Sequence, residues 1–414
     1  MELCNKGIDY QDVFEFYKNK RVLITGNTGF KGSWLTYLLL SACAKVTGYS
    51  LQPPTSPSLF NILNIEQRDG LTQYYADVRD LDKMKEVFKK THPEIVFHLA
   101  AQPIVRDSFK DPVTTYSTNV MGIVNVCECV CISAMRSVDS RMDGNGYNGV
   151  RSFLNITTDK VYKNLEWEWG YRENDELDGL DPYSNSKSCS ELVTHSYRDS
   201  FFNCIVDEKN EPVVRVSTAR AGNVIGGGDF SNDRIVPDCV RALSLAVDEQ
   251  KSKGMIAVRN PYSIRPYEHV LEPLFAYMMI AKAQYENARF AGYYNVGPDD
   301  QDCVSTGKLV TMLADTWNRG LNANFICGSS KLGADISLPM LAWENKSDPN
   351  APHEANFLKL DCSKLKRTFG WKPRWHIEDA VKNTVAWTRV WLESNGDSEV
   401  VKIEMDREIE EFIK

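Results

Sequence analysis

The chain has 414 residues, of which 43% are hydrophobic and 25% charged, and its formal net charge is -8. This composition is typical of a globular protein with one large or two medium domains, and its scattered Lys and Arg residues argue against a nucleic-acid surface. The longest apolar run, 34–44, is too short to cross a bilayer, and residues 1–6 lack the layout of a signal peptide, so we expect a cytoplasmic protein.

Strands and helices alternate along the first half of the chain. Runs rich in β-branched and aromatic residues predict six strands, at 21–25, 45–49, 72–76, 94–99, 152–157 and 213–219. Helical patterns separate most of these runs. The predicted fold class is therefore α/β, with a doubly wound parallel sheet.

A glycine-rich turn follows the first predicted strand. Gly26, Gly29 and Gly32 lie between the apolar run 22–24 and a helical run. Glycines at this spacing are typical of Rossmann-type dinucleotide sites, where the backbone approaches a pyrophosphate at a helix N-terminus. An ordinary helix-cap turn is the alternative, but three glycines between a strand and a helix favour the nucleotide site.

Other noteworthy residues follow the later strands. Asp77, Ala100, Thr158 and Asn223 come after the third, fourth, fifth and sixth strands, where parallel sheets bind their ligands. The second strand ends without the acidic residue that usually binds the adenosine ribose. The residues alone therefore leave NAD and NADP both open.

A tyrosine and a lysine stand one helical turn apart at Tyr183 and Lys187. We expect the lysine to lower the tyrosine pKa and make the phenol a proton acceptor near neutrality. Such a pair alone is usually a half-buried aromatic in an ordinary helix. The predicted fold, the glycine turn and the helix start at Asp181-Pro182 favour the catalytic interpretation.

The pattern of alternating elements loosens after residue 222. We expect a Rossmann-type nucleotide-binding domain over 1–222 and a smaller mixed substrate-binding lobe over 223–414, which returns to the sheet near 292–296. Polar stretches at 137–149 and 328–356 predict surface insertions.

The cysteines and histidines carry no clear chemistry in the sequence. The 11 cysteines form no Cys-x-x-Cys pair, so we expect buried thiols such as Cys127, Cys129 and Cys131, and no metal site. His98 lies in an apolar strand and is expected to be a hydrogen-bonded core residue. His195 and His269 have no evident partner.

Five motifs in order resemble the CDP-glucose 4,6-dehydratase family of the extended short-chain dehydrogenase/reductase superfamily, over roughly residues 10 to 395. The motifs are Gly29–Leu35, Thr158–Tyr162, Trp169–Glu173, Ala221–Asp229 and Ser263–Pro266. The resemblance implies NAD as cofactor, CDP-glucose as substrate and a homodimer or homotetramer with helices near 113–136 and 182–200 in its interface.

The resemblance also assigns binding residues. Cofactor contacts are expected from Gly26, Thr28, Gly29, Phe30, Lys31, Gly32, Asp77, Val78, Leu99, Ala100, Ala101, Thr118, Tyr183 and Lys187. Substrate contacts are expected from Gln102, Arg106, Asn223, Arg234 and Arg265. For Arg234, a helix cap or surface salt bridge is the structural alternative.

Catalytic roles follow from the same resemblance. Tyr183 and Lys187 would support oxidation at C4 of the sugar, and Thr158 would donate to the 4-oxygen. Asp159 would protonate the departing 6-hydroxyl. Lys160 would either take the C5 proton or stabilise the enolate while another group takes it. An ion pair of Asp159 and Lys160 at the surface is the alternative.

Two other functions are compatible with these residues. A 4-epimerase, or a dehydratase for another nucleotide sugar, shares most of the motifs, but an epimerase has no use for Asp159 and Lys160. A non-catalytic sugar-nucleotide-binding protein would not need Tyr183 and Lys187. Lys31 and Lys160 stand where most relatives lack lysine, and they point to a cytidine-linked substrate.

Overall fold

The structure is a computed structural model that describes residues 8–142, 149–322, 338–347 and 358–414. Its strands are β1 Arg21–Thr25, β2 Lys45–Ser50, β3 Leu71–Tyr75, β4 Ile95–His98, β5 Ser152–Thr158, β6 Arg215–Ala221, β7 Asn223–Ile225, β8 Lys253–Val258, β9 Ile264–His269, β10 Tyr293–Val296, β11 Cys303–Ser305 and β12 Met340–Asn345.

The α-helices are α1 Tyr10–Phe16, α2 Phe30–Ser41, α3 Leu59–Ile62, α4 Leu81–Thr91, α5 Val105–Lys110, α6 Pro112–Tyr116, α7 Gly122–Met142, α8 Pro182–Ser200, α9 Ile235–Asp248, α10 Leu271–Glu286, α11 Thr306–Asn322, α12 Ser363–Phe369, α13 Ile377–Glu393 and α14 Ser398–Ile413. A π-helical turn, Ser117–Met121, joins α6 to α7.

Seven parallel strands form the central sheet in the order β10-β6-β5-β4-β1-β2-β3. The six strands predicted from sequence are all present, each shifted by no more than two residues at either end. Every residue of β5 and β6 is buried, as expected for strands covered by helices on both faces. The predicted doubly wound α/β fold is confirmed.

The chain after β6 builds small sheets and then returns to the central one. β7 and β11 flank β9, and β12 pairs with β8. β10 then pairs with β6 in parallel at the edge of the central sheet. The central sheet thus includes a strand from the second half of the chain.

The structure describes only parts of the two predicted insertions, which stay predictions. α7 continues to Met142, so the stretch 137–149 begins as helix, and residues 143–148 lie outside the described residues. The stretch 328–356 contains β12, whose Leu341 is buried, and the rest of it except 338–347 is outside the described residues. β12 pairs with β8, a distant segment that the sequence pattern did not indicate.

The helical stretch 112–136 is long and apolar enough by composition to span a membrane. In the fold it packs as a core helix, because Ile123, Val126 and Val130 are fully buried against the sheet. Cys127, Cys129 and Cys131 are buried on the same helix, as predicted.

A buried ion pair fixes α8 to the sheet. Glu191 on α8 accepts from Arg220 Nη2 at 2.9 Å and from Thr218 Oγ1 at 2.7 Å, and both charged side chains are fully buried. Burial alone would raise the pKa of Glu191, but Arg220 holds it down at about 2. His195, for which the sequence suggested no partner, lies 3.4 Å from the same carboxylate.

We expect Glu191→Gln to lower the free energy of unfolding by about 3–5 kcal/mol, because the Arg220 charge would stay buried without its partner. Urea unfolding followed by circular dichroism measures this. The matched control is Glu86→Gln, which removes an exposed helix-surface pair with Lys90 and should leave the unfolding midpoint unchanged. A midpoint in Glu191→Gln equal to that of the unaltered chain would contradict the expectation.

The other two histidines considered in the sequence, His98 and His269, are core residues. His98 is buried and its Nδ1 lies 2.7 Å from Thr25 Oγ1, as predicted, and burial lowers its pKa to about 3. His269 is fully buried with its Nε2 3.5 Å from Glu408 of α14, a partner too distant in sequence to predict.

Candidate active site

The turn between β1 and α2 forms a groove lined by backbone. Gly26 has a φ of +73°, and a Cβ there would lie 2.7 Å from the nitrogen of Ala100. A Cβ at Gly32 would lie 2.1 Å from the oxygen of Gly26. α2 begins at Phe30 with no side chain capping its first N–H groups. These donors and the helix dipole suit a pyrophosphate.

The predicted adenosine contacts lie at the edge beyond β3. The Asp77 carboxylate is held by Arg79 at 2.6 Å, whose hydrogen bonds lower the pKa of Asp77 and keep it an ionised acceptor. Val78 is buried beneath Gly122. Their contact with adenine stays a prediction.

The end of β2 carries neutral polar groups instead of an acid. Ser50 Oγ donates to Asn27 Oδ1 at 2.9 Å, and Asn27 Nδ2 donates to Gln73 at 2.7 Å. Thr28 Oγ1 donates to the carbonyl of Leu51 at 2.9 Å. This network ties the glycine turn to β2 and β3, and its amides and hydroxyls are the hydrogen-bonding groups available to a ribose there.

The segment after β4 closes the groove. Leu99, Ala100 and Ala101 are half-buried. Thr118 stands on the π-helical turn, whose Asn119 accepts from the Gln102 amide at 2.8 Å. Gln102 is used internally, since its Nε2 donates to the carbonyl of Ile104 at 3.1 Å. This hydrogen bond fixes the loop after β4, and a sugar contact from Gln102 stays a prediction.

Thr158, the last residue of β5, and the two residues after it form a tight polar group. Thr158 Oγ1 donates to Asp159 Oδ1 at 2.9 Å, and the Lys160 amide donates to Thr158 Oγ1 at 3.4 Å. Asp159 is 1% exposed, and its Oδ2 has no hydrogen-bond partner among the described residues. Burial raises the pKa of Asp159. The carboxyl is therefore suited to hold a proton and present it through Oδ2.

Tyr183 and Lys187 are placed by the start of α8. Asp181 caps the helix by accepting from the Ser184 amide at 3.0 Å, and Pro182 occupies its first turn. Lys187 Nζ donates to the carbonyl of Ile156 at 3.0 Å. Both side chains thus reach the carboxyl end of β5.

The electrostatics of this pair differ from the sequence expectation. Burial raises the pKa of Tyr183 to about 12, although the Thr158 hydroxyl and Arg234 lower it in part. Burial and the nearby Lys31 lower the pKa of Lys187 to about 8. The expected lowering of the phenol pKa by Lys187 is therefore wrong for this arrangement, because burial outweighs the neighbouring charges.

A buried acid, Glu268, adds to the predicted residues of the site near Lys31, which the resemblance assigned to the cofactor. The Lys31 ammonium lies 6.0 Å from the ring centre of Tyr277. Burial lowers its pKa to about 8, and Glu268 and Asp159 oppose that shift. Glu268 is 2% exposed, and among the described residues neither of its oxygens has a hydrogen-bond partner. An acid two positions after Pro266 was the only sequence signal for it.

The predicted substrate residues differ in how near they lie to the catalytic candidates. Arg265 of β9 lowers the pKa of Asp159, and Arg234 lowers that of Tyr183, so both cations border the catalytic candidates. Asn223 begins β7 and is half-buried. Arg106 is farther out and pairs with Asp233 at 3.1 Å. No group of three His, Cys, Asp or Glu residues in the described ranges is placed to hold a metal ion.

Comparisons with known proteins agree with this geometry. Residues 23–209 match the family model described as GDP-mannose 4,6 dehydratase. A CDP-glucose 4,6-dehydratase from Salmonella typhimurium is 42% identical over 378 residues, which cover 91% of this chain and 92% of that protein.

Solved structures of similar proteins share the fold. A dTDP-glucose 4,6-dehydratase from Bacillus anthracis in complex with NAD has a TM-score of 0.63 at 18% identity, covering 89% of this chain and 96% of that one. A UDP-glucose 4-epimerase from Thermotoga maritima with UDP-glucose has a TM-score of 0.65 at 19% identity, covering 89% and 98%.

Proposed function

The chain belongs to the CDP-glucose 4,6-dehydratase family, and we propose that it converts CDP-D-glucose into CDP-4-dehydro-6-deoxy-D-glucose with NAD as cofactor. One observation favours dehydration over epimerisation. The buried carboxyl of Asp159, whose pKa is raised, lies beside Thr158 and Tyr183. Alcohol oxidation alone has no use for such an acid, whereas loss of water needs one.

NAD fits the groove between β1 and α2. The backbone cradle at Gly26 and Gly32 leaves no room for side chains, and the helix N-terminus supplies donors for the diphosphate. No arginine directly follows β2 to receive a 2′-phosphate. When bound, NAD accepts a hydride from C4 of the sugar and later returns it to C6.

Tyr183 would take the proton of the sugar 4-hydroxyl in the oxidation, which requires the positive charge of a bound nicotinamide to bring the phenol pKa down from about 12. Thr158 donates to the 4-oxygen and aligns it, and the Lys187 ammonium contributes positive charge and a hydrogen bond to the nicotinamide ribose. The resulting C4 ketone acidifies the hydrogen on C5. The oxidation thereby prepares the elimination.

Asp159 and Lys160 serve the elimination in this scheme. Lys160 takes the C5 proton, and Asp159 gives its proton from Oδ2 to the 6-oxygen as the C6–O bond breaks and water leaves. Arg234, Arg265 and Asn223 bind the nucleotide diphosphate, for which arginine forks are suited.

The proposal is tested by incubating the purified protein with CDP-, dTDP-, UDP- and GDP-sugars in parallel, each with NAD or NADP. We expect a 4-keto product, detected by its absorbance in alkali, from CDP-glucose with NAD. Turnover of dTDP-glucose without turnover of CDP-glucose would overturn the substrate, and turnover with NADP alone would overturn the cofactor.

We also propose that the chain forms a homodimer through α5 to α8. Several large apolar side chains on these adjacent helices are strongly exposed in the single chain: Phe109, Val113, Met121 and Leu192. A second copy of the chain would cover them. Sedimentation equilibrium should give a mass about twice the 47.0 kDa of one chain, or a multiple of that for a tetramer, and a monomer would contradict the proposal.

The proposed location is the cytoplasm. The apolar stretch 112–136 is consistent with it because that helix packs into the core. Fractionation of cells that express the chain tests this location, and recovery of the chain with the membranes would contradict it.

A further inference from the structure

The buried face of α8 is polar, although a helix packed on a sheet usually buries apolar side chains. This helix carries the proposed catalytic residues Tyr183 and Lys187. The buried side chains on it are all polar or charged: Ser184, Ser186, Lys187, Ser188, Ser190, Glu191 and Thr194. Buried polar groups cost free energy unless they are hydrogen-bonded, so this face needs partners in the sheet.

β5 supplies such partners from one of its faces. Side chains two residues apart on a strand lie on the same face, and Asn155 and Thr157 both reach α8. Asn155 Nδ2 donates to Thr194 Oγ1 at 2.8 Å and to Ser190 Oγ at 3.1 Å. Thr157 Oγ1 donates to Glu191 Oε1. We call these five residues the β5–α8 seam, and none of them is more than 3% exposed.

The β5–α8 seam lies beside catalytic candidates on both elements. Thr157 directly precedes Thr158 on β5, and Glu191 follows Lys187 by one turn of α8. Lys187 Nζ itself donates to the carbonyl of Ile156 at 3.0 Å. The seam therefore determines where the catalytic end of α8 lies along β5.

Hydrogen bonds hold the helix in one position more strictly than apolar packing would. Apolar contacts have no preferred direction, so a helix with an apolar face shifts along a sheet at lower cost. A hydrogen bond needs its donor and acceptor about 2.7–3.2 Å apart and nearly in line. Misplacement of a reacting group by about 1 Å can slow catalysis about 10²-fold, so the reaction depends on this strictness.

We propose that Glu191 and Thr157 are positioning residues for the reaction. The hydrogen bond between them fixes the distance from Thr158 on β5 to Tyr183 and Lys187 on α8. They act through these three residues and not on the substrate itself. The inference rests on the proposed function.

The two oxygens of the Glu191 carboxylate have different partners. Oε1 accepts from Thr157 of β5, whereas Oε2 accepts from Thr218 at 2.7 Å and from Arg220 at 2.9 Å, both on β6. β6 carries none of the residues proposed for catalysis. The same carboxylate thus has one link to the catalytic strand and another to a strand without catalytic residues.

Thr157→Val tests the proposal, because it keeps the side-chain volume but removes the hydroxyl. We expect kcat for CDP-glucose to fall about tenfold, and KM to change by less than about twofold because the substrate-binding residues are unaltered. With CDP-glucose that carries deuterium at C4, the isotope effect on kcat should increase, because misplacement of α8 slows cleavage of the C4–H bond. Thr157→Ser restores the hydroxyl and should return kcat to within about threefold of the unaltered enzyme.

Thr218→Val is the matched control. It removes the same group at a similarly buried position, but the lost hydrogen bond joins Glu191 to β6. We expect kcat to stay within about twofold of the unaltered enzyme and the isotope effect to stay the same. Urea unfolding should give similar midpoints for the two valine variants, since each loses one hydrogen bond to Glu191. Equal stability with unequal kcat separates positioning from a structural role.

Equal kcat values for Thr157→Val and Thr218→Val would overturn the positioning role, and so would a loss of rate that Thr157→Ser does not restore. If Thr157→Val does not fold, Thr194→Val takes its place, because it removes the hydroxyl that accepts from Asn155. An unchanged kcat in that variant would also overturn the role. Failure of the unaltered enzyme to form a keto product from any nucleotide sugar would instead overturn the proposed function.

Discussion

Replacement of Tyr183 by phenylalanine is expected to lower kcat for CDP-glucose by a factor of about 10³. The phenol is the group placed to take the proton of the 4-hydroxyl, and phenylalanine keeps its buried ring but removes the acceptor. Because the ring contacts remain, the affinity for CDP-glucose should change by less than about threefold. Steady-state kinetics and titration calorimetry measure the two quantities.

Tyr116→Phe is the control for loss of a phenol near α8. Its hydroxyl donates to Asn185 of α8, two residues after Tyr183, at 2.9 Å, and its loss should change kcat by less than about twofold. A kcat for Tyr183→Phe within tenfold of the unaltered enzyme would assign the proton to another acceptor.

Replacement of Asp159 by asparagine is expected to separate oxidation from elimination. Asparagine is nearly the same size and still accepts from Thr158, but it has no proton to give to the departing hydroxyl. We expect kcat for the keto-deoxy product to fall by about 10²–10³. Oxidation at C4 should persist, and rapid mixing should show the absorbance of reduced cofactor rising and then remaining.

Lys160→Ala completes the comparison, because it removes the proposed base instead of the acid. It should slow exchange of the C5 hydrogen with deuterated solvent and leave C4 oxidation measurable. Unaltered exchange would remove Lys160 as the base. Full product formation by Asp159→Asn would remove Asp159 as the acid.

The sequence predicted the framework well because its signals are local. Each strand of the first half is a short β-branched or aromatic run, and parallel topology brings the residues after those strands to one edge of the sheet. Gly26 and Thr158 lie at the same edge of the central sheet for that reason. Their positions follow from strand ends and a helix cap, which a sequence displays directly.

The remaining features depend on contacts between distant segments. β12 is a strand because it pairs with β8. Burial, with Arg407 of α14 nearby, lowers the pKa of His269 to about 3. The pKa of Tyr183 depends on how completely the fold buries it, which motif spacing does not contain. Glu268 belongs to no motif recognised in the sequence. Only its burial near Lys31 identifies it as part of the candidate site.

The return of the chain to the central sheet as β10 ties the two halves together. α10, also from the second half, packs across β5 and β6, and Phe412 of α14 packs on Tyr10 and Phe275, with ring centres 5.5 and 5.0 Å apart. A cut near residue 222 would expose the edge of β6 and uncover one face of the sheet. The two lobes are therefore not independent folding units, and the enzyme would unfold as a single cooperative unit.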